Sequence, residues 1–127
     1  MEISKLATAE AHSEGAECNI TDPLTNKPTD VFIKIMGADS KDWRAQKKKQ
    51  TNAVMNARAG GKSEDIDFDA MDVDALVAVT IGWRGILENG KDYPFSKKNA
   101  RRLYENSPAV VNQLLAFLSN GANFTKG

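Results

Sequence analysis

The chain has 127 residues, with 17 basic and 17 acidic side chains, one histidine and one cysteine. That length suits one domain able to bury roughly two thirds of its surface, so folding needs neither a disulfide nor a metal. Charges that cancel argue against long-range steering towards nucleic acid or anionic lipid, and the lone Cys18 excludes an internal disulfide and fits a reducing compartment.

Residues 1–14 are small, polar and weakly periodic, and read as a flexible N-terminal arm that can hold a short helical turn. Residues 15–127 read as a single domain. A first extended run from Glu17 is followed by the turn-forming stretch Pro23 to Pro28, then by Val31, Ile33 and Ile35 alternating with Phe32, Lys34 and Met36. This is a β-hairpin over 17–36, too short to stand without support. Asp39 or Ser40 can cap a helix over about 41–59, which Gly60 and Gly61 stop. Its apolar content is thin (Trp43, Ala53, Val54, Met55, Ala57), so it belongs on the surface with one narrow buried face.

A loop from Lys62 to Phe68 leads to Asp69 as the expected cap of a helix over about 70–87. Val73, Leu76, Val77, Thr80, Trp83 and Leu87 recur along it at offsets of three and four, which makes it the expected central core helix. Asn89-Gly90 is a turn signal. Ser96 can cap a helix over 97–105, and Ser107-Pro108 opens a last one over 108–118 with Val111, Leu114, Leu115 and Leu118 inward. The class is α+β: an N-terminal β-hairpin followed by about four α-helices, with a mostly helical C-terminal half.

No apolar run has the length of a membrane span, and the first residues lack the charged-then-apolar order of a secretion signal, so the expectation is an intracellular protein with no membrane contact. Catalysis has little to work with. His12 and Cys18 lack a third group to orient them, and together they are too few for a zinc site, so neither an enzyme nor a cofactor is expected. Asp65, Asp67 and Asp69 alternate as in a calcium loop. Ala70 stands where the loop needs glycine, and Leu76 where it needs glutamate. Arg44 with Lys47, Lys48 and Lys49 reads as a solvated helix face, not a nucleic-acid site, because no aromatics interleave. The acidic block from Asp65 to Asp74 and the basic block from Lys91 to Arg102 suit self-association or an ionic contact within the domain.

The run from Val79 to Phe124 resembles the C-terminal signature of tail assembly chaperones of long-tailed bacteriophages. The matching features are Trp83-Arg-Gly85, the turn Glu88 to Lys91, Tyr93-Pro-Phe-Ser96, Asn99-Ala100, Leu103-Tyr104, Pro108 and Asn123-Phe124. Asp22-Pro23 through Asp39-Ser40 resembles the opening hairpin and first helix of the same group. The resemblance implies a small factor in the host cytoplasm, absent from the mature virion. Its partner would be the aggregation-prone tape measure protein, which it keeps soluble while tail tube subunits polymerise. The major tail protein, and a longer form of the chain made by frameshifting near Thr125 to Gly127, are the further partners it implies.

Such a role asks for accessible apolar surface. Trp43, Val54 and Met55 on the 41–59 helix are the expected contact face, and Trp83 and Phe95 are candidate anchors if they are left exposed. The competing reading is a structural virion protein, a minor tail or head–tail connector subunit.

Overall fold

The computed structural model describes residues 1–125; Lys126 and Gly127, part of the stretch where a frameshifted form would diverge, lie outside them. The expected hairpin is present as antiparallel strands β1 (Ala16–Thr21) and β2 (Pro28–Ile35). Asp22 organises its turn: its carbonyl accepts from Asn26 N–H and its carboxylate from Leu24 N–H, both at 2.8 Å. Alternation puts Ile33 and Ile35 on a fully buried face and leaves Lys34 outside. Helix α3 (Lys41–Ala59) occupies the expected span, and Ser40 Oγ accepts from Trp43 N–H at 3.2 Å.

The expected helix over 70–87 is corrected. Helix α4 spans Phe68–Val79, capped by Asp67 and not Asp69: the Asp67 carboxylate accepts from Ala70 N–H at 3.0 Å. Thr80–Arg84 then form a strand, β3, paired with the free edge of β2 so that the sheet order is β1-β2-β3. The offsets of Thr80, Trp83 and Leu87 continue the helical period, but three other features win. Val79, Thr80 and Ile81 crowd as a β-branched or β-favouring run. Gly82 and Gly85 disfavour helix. A two-stranded hairpin also lacks stability until a third strand joins it. Lys97 Nζ reinforces the break, donating to the carbonyls of Val77 at 2.7 Å, Thr80 at 2.9 Å and Ala78 at 3.3 Å, so the carbonyls at the helix end are satisfied.

The Asn89-Gly90 turn joins two short strands, β4 (Leu87–Glu88) and β5 (Lys91–Asp92), with φ of 52° and 78° at its two residues. Helix α5 (Lys97–Glu105) begins under Ser96, whose Oγ accepts from Asn99 N–H at 3.0 Å, and α6 (Pro108–Ser119) starts with proline in its first turn. The inner face of the sheet packs on α4, α5 and α6 through Ile33, Ile35, Leu76, Val79, Tyr104, Leu114 and Leu118. Gln113 on α6 also covers the outer edge of β1: its Oε1 accepts from Thr21 N–H at 2.7 Å and its Nε2 donates to Thr21 O at 2.9 Å.

The N-terminal arm is also corrected in part. Helix α1 (Ile3–Leu6) is wholly exposed, as an arm would be, but α2 (Ala9–Glu14) is docked. His12 is 2% exposed, stacks on Phe124 with 4.7 Å between centroids, and its Nδ1 accepts from Asp39 N–H at 2.9 Å. Gly37 donates to His12 O at 2.9 Å, and a Cβ there would collide with the imidazole. One histidine in place of an apolar stripe anchors this helix, so periodicity could not reveal it. Among the described residues, no helix is long and apolar enough to cross a membrane.

Candidate protein-binding groove

Helices α3 and α4 pack side by side, pinned by Gln50, whose Nε2 donates to Met71 O at 2.7 Å. Between them runs a shallow groove of about 270 Å³. Its α3 bank is Lys47, Thr51, Val54, Met55 and Arg58, spaced by zero, four, seven, eight and eleven residues, one helical stripe. Its α4 bank is Phe68, Met71 and Asp72. Met55 is 62% exposed and Phe68 57% exposed, so two large apolar side chains face solvent across one concavity. A groove with an apolar floor and charged ends is the shape into which an amphipathic helix lays its apolar face.

The candidate residues from the sequence divide between different places. Val54 and Met55 meet in this groove. Trp43 does not: it lies eleven residues before Val54 on α3, about 16 Å along the axis, and packs against the core with Lys47 Nζ 5.4 Å from its ring centroid. Trp83 and Phe95 form a separate cluster, edge to face at 5.2 Å, and Trp83 also stacks on Tyr93 at 5.9 Å. Trp83 Nε1 donates to Tyr93 O at 2.8 Å, and Arg102 binds both the Tyr93 hydroxyl and Glu88. These bonds tie the β4–β5 hairpin to the core, so Trp83 and Phe95 work as packing residues. Phe68 and Met71 were the missing half of the site. Their spacing of three was visible in the sequence, but Phe68 reads as loop once the helix is started at Asp69.

A larger cavity of about 490 Å³ opens between α4, α5 and α6, rimmed by Asp67, Asp69, Asp72 and Glu105. It holds no exposed apolar side chain comparable to Met55 or Phe68, and no group of three metal-ligating side chains is present among the described residues. The histidine and cysteine are both structural in their surroundings. Burial pushes the Cys18 thiol up to about 11, which leaves no reactive thiolate near neutrality. Of the charged blocks, Arg101 pairs with Asp74 at 2.6 Å, an ionic contact inside the domain.

No family model, no curated protein and no solved structure matches this chain.

Proposed function

We propose that the protein is a tail assembly chaperone of a long-tailed bacteriophage, acting in the host cytoplasm by holding an apolar helical segment of the tape measure protein. The resemblance of Val79–Phe124 and of the opening hairpin supports the family. The observation that carries the mode of action is the α3–α4 groove, where Met55 and Phe68 are exposed across a floor of Val54 and Met71. The client that the resemblance implies is aggregation-prone, and an amphipathic client helix would present apolar anchors at the spacing such a groove accepts. The polarisable Met55 and Met71 suit a surface that must adapt to several client segments.

The test is co-expression with the tape measure protein of the same genome. The wild-type chain is expected to keep it in the soluble fraction and to co-purify with it. Met55→Asp with Phe68→Asp should abolish both while the purified chaperone keeps its thermal transition. A client that stays soluble and bound with this double variant would remove the groove as the site. Abundant copies of the chain in purified particles would favour the structural virion reading.

A further inference from the structure

We infer that the α3–α4 groove selects client helices that carry a carboxylate one turn beyond their apolar anchors, placed to meet Arg58. This rests on the reading of the groove as the client site and names the kind of segment it takes. The charged residues of the lining are Lys47, Arg58 and Asp72. Gln50 Nε2 bonds Met71 O, so Lys47 and Asp72 share one end of the groove, and Arg58 and Phe68 the other. At the first end a cation and an anion face each other across the groove and largely offset one another. Lys47 is also engaged on its own helix, 5.4 Å from the Trp43 ring centroid and 3.5 Å from Gln50 Oε1. At the second end Arg58 meets no acid among the lining residues. Asp67 stands next to Phe68, but its carboxylate accepts from Ala70 N–H and it lines the other cavity. The ion pairs of the described residues join His12 to Asp39, Arg84 to Glu17, Arg101 to Asp74 and Arg102 to Glu88, so none takes Arg58.

The geometry then sets the client's pattern. Met55 and Phe68 face solvent across the concavity, and one large apolar client side chain between them covers both. Thr51 and Met71 lie one turn further in, towards Lys47, and leave room for a second anchor. Arg58 follows Met55 by three residues, about 4.5 Å along the axis. A client helix lying along the groove therefore brings a residue three or four positions outside its first anchor level with Arg58. A guanidinium there can hold a carboxylate through two parallel hydrogen bonds. A lysine at the same client position meets a like charge that no acid at that end of the lining offsets. An uncharged segment fills the floor equally well but gains nothing at this end. The pair sits exposed at the rim, so it decides between clients and does not supply most of the binding.

Peptides of about 20 residues, ~30 Å of helix, tiled across the tape measure protein of the same genome are the probes, with affinity read by fluorescence anisotropy on the full chain. The tightest binder is expected to carry two apolar anchors three or four residues apart and an Asp or Glu one turn outside them. Made with Glu, Gln or Lys at that position, it should bind in that order, the Glu form about threefold tighter than Gln and about tenfold tighter than Lys. Arg58→Gln should level the Glu and Gln forms, Arg58→Glu should invert the order of Glu and Lys, and added salt should shrink the preference. Circular dichroism establishes that each variant is folded. Glu and Lys forms that bind alike overturn the inference, as does an order that Arg58→Glu leaves unchanged or a tightest binder with a basic residue at that position. Met55→Asp with Phe68→Asp separates this from the underlying reading. Binding lost in that double variant but indifferent to peptide charge strikes the inference alone. Binding that survives the double variant strikes the groove as the client site, and peptides none of which bind strike both.

Discussion

Two side chains outside the groove decide whether the C-terminal half holds its shape. Lys97 ends α4 from a distance: its ammonium serves three carbonyls at the junction with β3. Burial lowers its pKa from the ordinary lysine value, with Asp42 opposing the shift. Replacing it by methionine keeps the aliphatic stem and removes the donors. That should cost about 1.5–3 kcal/mol in urea denaturation, the range for hydrogen bonds to a charged group. Tyr104 is 1% exposed, with its hydroxyl 2.8 Å from Thr80 Oγ1. Burial pushes its pKa up to about 12 from 10.0, with the Thr80 bond acting weakly the other way. The unfolded chain therefore releases the phenol proton first as pH rises, and alkali favours unfolding. Stability is expected to fall through the window from about 10 to about 12 by an amount on the order of 2–3 kcal/mol from this group. Tyr104→Phe should be less stable at pH 7 by about 1 kcal/mol, yet show a flatter alkaline decline in the same denaturation series.

At the level of elements, the hairpin, α3, α5 and α6 were legible because each carries its own local punctuation. Ser40 and Ser96 cap, Pro108 starts, and Gly60 stops, and none of these depends on distant contacts. The stretch after Val79 was misread because its offsets satisfy a helix while its tertiary setting demands a strand. The signal against helix was present in Gly82 and Gly85. Gly85 has φ of 87°, and a Cβ there would strike the Asp30 carbonyl of β2. Gly85→Ala should therefore destabilise the fold by about 2 kcal/mol or more, lowering the thermal midpoint far more than Gly121→Ala, which has no positive φ and whose Cβ would meet open space. Helix α2 was legible only as a short helical turn within the arm; its docking was not, since its anchor is the packing of His12 on Gly37 and Phe124, residues far apart in the chain.

The candidate site was half legible at the scale of the whole molecule. Val54 and Met55 could be picked from α3, but a groove needs two banks, and its second bank depends on how α4 folds back. The structure also separates scaffold from surface. The aromatic block that resembles the family most closely, around Trp83, Tyr93 and Phe95, is tied up in its own stacking and hydrogen bonds. The exposed apolar side chains of the groove lie on the other part of the chain. Trp43→Ala should therefore lower stability by about 3 kcal/mol, at the low end for removing a large aromatic because this one is only partly buried; where the folded form persists, it should leave client binding intact. Met55→Asp with Phe68→Asp should do the reverse. Denaturation and co-purification measured on the same two variants separate the effects.

Hydrogen exchange of the chain, alone and mixed with the tape measure protein proposed as its client, tests the central claim most directly. The account predicts added protection over residues 47–58 and 68–72, the two banks of the groove, with little change around Trp83 to Phe95. Protection confined to that aromatic block, with the α3 and α4 banks unchanged, would contradict it.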